Sequence, residues 1–430
     1  SVLFQPPGGA GEETRFDRSD DLTLSDPIDL DGSLAKAGTG TLVLSSTARF
    51  GEGTTVSGGR LQVDGLLSGG AVEVQTGGTL SGSGIVAATT GIAGTLAPGN
   101  SPGLLTFAAP VTMAAGSTLA IEVDGTAAAA GAGGYDRVLV LGGGNSFTAG
   151  GTLAVQLRGI SAPATNSYTP ALGQRFANVV AAAGGIGGSF AALAQPAAGL
   201  APGTRFDALY GSTAIDLVVT PAAYGNLPAA GVAQTANEAA VGAALDAVRP
   251  AAGVRPAGDA ATLFPALAPL DGQGIRDALD SLSGRSHAES LAAAGDAHSL
   301  AGAAVAGRLS GRPAMAAGAS GLAAGEGIEG GQTDGPAGWA EVLGGSGVQR
   351  SSGGVDGYDS HMRGIAVGAD GRLPEGPLAG DLLLGAAIGR IATEAKGADG
   401  STDIDSHFAA VFGPTLATPG MYSFGTAPPL

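Results

Sequence analysis

The chain has 430 residues, of which 78 are Gly and 24 are Pro, about twice the combined share of an average protein, while charged residues make up 13% and aromatics 4%. With 44% hydrophobic residues it is too apolar for a disordered chain, and its composition excludes an ordinary helix-rich enzyme; a core must be built from thin layers of Ala, Val, Leu and Ile, as in stacked repeats. A net charge of −17 disfavours nucleic acid and anionic lipid headgroups as partners, and the absence of Cys excludes disulfides, thiolate nucleophiles and Cys-ligated metals.

From Ser1 no basic stretch followed by an apolar one reads as a secretory signal, so an exported protein is expected to have residues before it. The acidic run Asp17, Asp20, Asp21, Asp26, Asp29 and Asp31 lacks the ligand spacing and turn Gly of a calcium loop and reads as a solvated face. Over the first 160 residues a short theme recurs as GTLVL, GRLQVDG, GTLSGSG, GTLAPGN, GSTLAIEVDG and GGTLAVQLRG. Its central leucines are Leu42, Leu61, Leu80, Leu96, Leu119 and Leu153, the early copies roughly 20 residues apart. Apolar residues alternate within each copy, as in Leu61 and Val63 or Leu119 and Ile121, the period of a strand with one buried face. Short strands punctuated by Gly predict a parallel β-helix over residues 1–134. A sandwich of hairpins would need many two-residue turns, and only Asp64-Gly65 and Asp124-Gly125 stand out. Gly99 to Gly103, GNSPG, matches the G-x-S-x-G elbow of hydrolases, but Ser101 lies among β-repeats, no helix is predicted after Pro102, and this half of the chain has no His; it reads as a solenoid corner.

Residues 135–220 carry longer strand candidates at Arg137–Leu141, Thr152–Leu157, Phe176–Val180, Arg205–Tyr210 and Ala214–Val219, expected to cap the solenoid. The charge-free run from Ala177 to Thr204 is broken by Gly, Pro196, Asn178 and Gln195 and is no membrane helix. From Tyr224 the period turns helical, with Val241, Leu245 and Val248, then Ile275, Leu279 and Leu282, and a third candidate at His287–Leu309. Residues 313–337 read as a flexible Gly- and Ala-rich linker, so that 221–337 forms one helical and flexible connector; GEGIEG, Gly325 to Gly330, follows no strand and is linker composition rather than a nucleotide loop. After Trp339 the chain returns to strands of about ten residues. In Asp381–Arg390, Leu382, Leu384, Ala386 and Ile388 share a face; in Asp403–Gly413, Ile404, Phe408, Ala410 and Phe412 lie opposite Asp403, Asp405 and His407. That pattern predicts a membrane β-strand, with lipid against the apolar face and a wet lumen against the polar one. His287, His298, His361 and His407 are too dispersed for a metal site, and no catalytic, cofactor or metal site is expected.

The order of these parts resembles the bacterial autotransporters, or type V secreted proteins. KAGTGTLVLSS, TTVSGGRLQVDG, GGTLSGSG and APGNSPGLLTF look like passenger repeats; residues 135–220 are similar to the passenger end that helps nucleate folding. NLPAAGVAQTANEAAVGAALDAVRP and IRDALDSLSGRSHAESL resemble the helical stretch before the translocator, and GWAEVLGGSG with GIAVGADGRL looks like its first strands, over 338–430. The resemblance implies an all-β-dominated protein: a β-helix, a capping block, a connector and an antiparallel transmembrane barrel. It also implies outer-membrane and cell-surface localisation, with outer-membrane lipid, the barrel-assembly machinery and a host or surface ligand as partners. Only about four strands and part of a fifth, Met421–Thr426, fit before Pro428, whereas bacterial barrels start at about eight; the chain is therefore expected to be a piece or truncated product of its parent. Two alternatives are a subtilisin-like protease or esterase placed upstream in the parent, and a soluble β-solenoid adhesin.

Overall fold

The computed structural model describes residues 11–310, 322–324, 328–329, 337–350, 357–372, 383–397, 400–413 and 421–426. The chain divides into two compact units, residues 1–234 with 242–276, and residues 235–241 with 277–430.

The first unit is a three-sided parallel solenoid. One sheet stacks Glu13–Asp17, Ser33–Ala37, Gly53–Val56, Val72–Val74, Thr90–Ile92, Val111–Met113, Phe147–Ala149 and Ile186–Gly188. The second stacks Leu22–Leu24, Thr41–Leu44, Gly59–Val63, Gly78–Gly82, Thr95–Pro98, Thr118–Glu122, Thr152–Gln156 and Ala192–Ala194. The third runs from Ile28–Leu30 through Thr47–Phe50, Leu66–Gly69, Ile85–Val86, Leu104–Phe107 and Arg137–Val140 to Arg175–Ala182. All these pairings are parallel.

The leucine theme is the spine of this stack. Register aligns Leu22, Leu42, Leu61, Leu80, Leu96, Leu119, Leu153 and Leu193 in one line, and the six from Leu42 to Leu153 are at most 1% exposed. The third sheet contributes a parallel row of Ala48, Leu67, Val86, Phe107, Val140 and Ala182. Each rung is short and its side chains alternate, so one face of each strand is buried, with Leu44, Val63, Ile121 and Val155 forming a second row beside the leucines, and burying each leucine contributes about 1.5–3 kcal/mol. Corner glycines permit the stacking: Gly59 has φ +59°, and a Cβ there would collide with the Gly38 and Gly40 carbonyls.

The parallel ladder continues past residue 135, where the sequence pattern suggested its end. Arg137–Val140, Phe147–Ala149 and Thr152–Gln156 are ordinary rungs, and Leu119 still pairs with Leu153 across 34 residues because the excess chain leaves the ladder as loops. The antiparallel closure is confined to Arg175–Ala182, Ala214–Pro221 and Thr204–Tyr210.

Helical chain follows, and its part up to about residue 270 packs on this closed end. A 3₁₀ helix at Tyr224–Ala230 is followed by α1 (Ala236–Val248), α2 (Ala260–Leu267), α3 (Gly272–Leu282) and α4 (Arg285–Ser310). Thr235 and Glu238 cap α1 reciprocally, Thr235 N–H donating to the Glu238 carboxylate at 2.6 Å and Glu238 N–H to the Thr235 hydroxyl at 3.2 Å. Near the C-terminal end of α1, Asp246 accepts the N–H groups of Tyr224 and Gly225. Arg249, buried over the Tyr224 ring, bonds Asp207, Thr220 and the Pro221 carbonyl. Tyr210 donates to the Gly253 carbonyl while Arg255 covers its ring, so residues up to about 270 close the solenoid through polar as well as apolar contacts.

The second unit holds α4 and an antiparallel sheet ordered Ala337–Gln349, Tyr358–Arg372, Leu383–Gly397, Gly400–Phe412 and Met421–Thr426. Two short strands, Leu322–Ala324 and Ile328–Glu329, pair with the other edge of Ala337–Gln349, so these parts of the expected linker are structured; the rest of 313–336 lies outside the described residues.

Candidate functional site

The sheet of the second unit has two unlike faces, and α4 defines which is inner. Ala293, Ala297, Leu300, Ala301, Ala304 and Val305 form a stripe at helical spacing, buried against the sheet. Facing them are Trp339, Leu343, Met362, Ala366, Ala387, Ile391, Phe408 and Phe412. Small residues on α4 bring its backbone close, while cross-strand glycines make room for the rings. Phe408 lies opposite Gly389, Phe412 opposite Gly385 and Trp339 opposite Gly368, and a Cβ at any of the three would run into the ring.

Two polar contacts fix the helix along the sheet. Arg308, in the last turn of α4, pairs with Asp370 at 3.2 Å and lies 5.0 Å over the Trp339 ring. One end of the sheet is thereby tied to the helix C-terminus, where a cation also complements the helix dipole. About three turns earlier Asp296 accepts the Ser360 hydroxyl at 3.5 Å, and Ala293 packs with Ala395, Ile404 and Tyr358 at the opposite end of the strands.

The outer face carries Val342, Ile365, Val367, Leu384, Ile388 and Val411, from 41% to 62% exposed. Register joins them into a band, with Val342 opposite Ile365, Val367 opposite Ile388 and Ala386 opposite Val411. Toward the end marked by Tyr358 the same face becomes charged, with Arg390 paired to Asp405 at 2.7 Å and Lys396 to Glu394 at 2.9 Å. An aliphatic belt bounded by charge is what lipid and its headgroup boundary select.

This reverses one expectation. Ile404, Phe408, Ala410 and Phe412 face inward to α4, whereas Asp403, Asp405 and His407 point outward beyond the aliphatic band. Leu384, Ala386 and Ile388 do lie outward, as their alternation suggested; Leu382 lies outside the described residues. Alternation fixes which residues share a face, but it cannot say which face is inside once a helix makes the interior apolar.

In the first unit Ser101 has a φ of +62° at a corner where Gly99 N–H donates to the Gly82 carbonyl and Asn100 donates to Asp64. His298, His361 and His407 all belong to the other unit. His361 and His407 are exposed on the outer face of the sheet; the His287 side chain lies outside the described ones. The capping pair Thr235 and Glu238, and the glycine–aromatic pairs, were not singled out from sequence. T-x-x-E before an apolar run signals the former, but the latter need the register of strands far apart in the chain.

Residues 338–427 match the family described as autotransporter beta-domain, and residues 34–63 match the passenger-associated transport repeat, a segment that spans nearly two turns of the solenoid. No curated protein sequence matches the chain. Parallel rungs carrying the transport repeat, followed by an aliphatic-belted sheet that matches the autotransporter beta-domain, support a fragment of an outer-membrane autotransporter, with a passenger for the cell surface and the start of a translocator.

Proposed function

We propose that the passenger is a non-catalytic rod, folded rung by rung from its C-terminal end, whose growth outside the cell draws the remaining chain across the membrane and presents a binding surface to a host or surface ligand. The observation that carries this reading is the in-register parallel ladder closed by the antiparallel strands Thr204–Tyr210 and Ala214–Pro221. Each parallel rung needs an existing edge on which to pair, so a closed end serves as a template and folding supplies direction without nucleotide hydrolysis. In this reading α4 occupies the pore: its small side chains suit a narrow lumen, and the Arg308–Asp370 and Asp296–Ser360 contacts hold it there once export stops. With surface carboxylates dominating a net charge of −17, the ligand is not nucleic acid.

Protease shaving of intact cells expressing the protein tests it. The rungs are expected to be degraded while periplasmic controls survive; rungs protected to the same extent as those controls would sink surface display. Hydrolase assays on unshaved cells displaying the protein are expected to show no turnover that a Ser101→Ala variant abolishes.

A further inference from the structure

The outward side chains of the third sheet form a row set by the parallel register, with Thr47, Leu66, Ile85, Thr106, Leu139 and Ala181 one above the other. Two residues further along the strands a second row brings exposed Ala87, Ala108 and Leu141 side by side. Among the described residues of the rungs, the exposed large hydrophobic side chains are Ile85 at 42% and Leu141 at 44%, and both stand on this face. Strands Leu66–Gly69, Ile85–Val86, Leu104–Phe107 and Arg137–Val140 carry a single charge, Arg137, which is half-buried and donates to the Asn178 carbonyl at 3.2 Å. On the side of the first rungs the face ends in charge, where Arg49 bonds Asp29 and Asp31. The outer faces of the other two sheets are interrupted by Arg15 and Glu73, and by Arg60 and Glu122.

On a chain of net charge −17, a mostly aliphatic face with one charge is where another macromolecule approaches at the least electrostatic cost. Its geometry favours a copy of itself. The row repeats at the strand spacing of about 4.8 Å, and a second row of the same repeat interdigitates with it across about 10 Å, as facing sheets do in a sandwich. We propose that this face binds the same face of a second copy of the chain about a two-fold axis between the Ile85 and Thr106 rungs, with Leu66 of one copy against Leu139 of the other and Ile85 against Thr106. Such an arrangement is self-complementary and closed, so it ends at a dimer. The six strands cover about 400 Å² per copy, and about 800 Å² for a pair falls short of the roughly 1,200 Å² of stable complexes, so the dissociation constant is about 10–100 μM. Copies tethered in one membrane meet at higher effective concentration, where so weak a contact suffices. The second copy is a partner additional to the host or surface ligand, and the pairing does not depend on export.

Sedimentation of the full-length protein in detergent, from about 5 to 200 μM, is expected to show a monomer passing to a dimer. Raising salt from about 0.05 to 0.5 M should strengthen the pair about threefold, because it screens the repulsion between like-charged copies. Ile85→Glu, at an exposed position, should weaken pairing at least about tenfold, whereas Thr112→Glu, which adds the same charge on the exposed outer side of the first sheet, should change it less than about threefold. The chain lacks Cys, so a spin label at Thr106→Cys reports cleanly: labels of two paired copies are expected within about 25 Å, and labels at Thr112→Cys clearly farther apart. A protein that stays monomeric would mean that a different partner covers the face, association untouched by Ile85→Glu would place it on another surface such as the β-domain belt, and pairing weakened by salt would make it a charge contact; each overturns the proposal. So would Thr106 labels no closer than those at Thr112, a comparison that places no charge on the apolar row.

Discussion

Lys36 is fully buried, yet among the described residues no carboxylate bonds it. Its ammonium donates to the carbonyls of Ala37, Gly38 and Gly58 at 2.6–3.1 Å and lies 5.3 Å over the Phe16 ring. Burial lowers its pKa, which Asp17 and Asp21 partly counter from a distance. Lys36→Met fits the volume but leaves three carbonyls without a donor, and is expected to cost about 2–4 kcal/mol, read as a lower melting temperature of the full-length protein. Asp124 is held by hydrogen bonds from Gly133, Thr165 and Asn166. Burial pushes its carboxyl up, but the hydrogen bonds from Thr165, Gly133 and Asn166 outweigh this and hold it below the usual range. A lowered folded pKa stabilises above the unfolded value and is lost as pH falls through the folded one. Asp124→Asn should therefore abolish a loosening of the segment around Thr165 that proteolysis detects in wild-type protein below about pH 4.

At the scale of elements, the leucine line and the glycine–aromatic pairs set the two kinds of packing. Leu80→Ala removes a wholly buried side chain from the middle of the stack and is expected to destabilise by about 2–5 kcal/mol, measurable by denaturant titration. In the β-domain the vulnerable position is a glycine rather than a large residue. Gly389→Val drives two methyl groups into the Phe408 ring and the Ile365 carbonyl, and the fraction of protein that resists urea extraction from outer membranes is expected to fall several-fold. Most strands of the β-domain and the span of α4 were legible from sequence, because alternation and helical periodicity are local. The inward direction of Phe408 and Phe412 was not: it depends on α4 filling the concave side, a contact between residues about 100 positions apart.

For the whole molecule, export by templated folding predicts that position matters more than the size of a defect. Arg249→Ala disrupts the closed end, where Arg249 joins Asp207, Thr220 and the Pro221 carbonyl. Leu34→Ala weakens an early rung. At matched loss of stability, surface display measured by antibody on intact cells is expected to drop several-fold for Arg249→Ala and to change little for Leu34→Ala; equal losses would remove the templating argument.

Sequence alone determined the parallel solenoid, since each rung repeats one apolar row with glycine corners, and it determined the order of passenger, helices and membrane strands. It also carried the low charge and lack of Cys that suit an exported rod. Tertiary structure decided how far the ladder runs, because loops of 124–136 and 157–174 break the spacing without breaking register. It decided that helical residues up to about 270 belong to the solenoid's closure, through the Arg249 and Tyr210 contacts. It alone set the buried Asp136 carboxyl on the backbone N–H groups of Gly103 and Glu122, a contact no local pattern encodes.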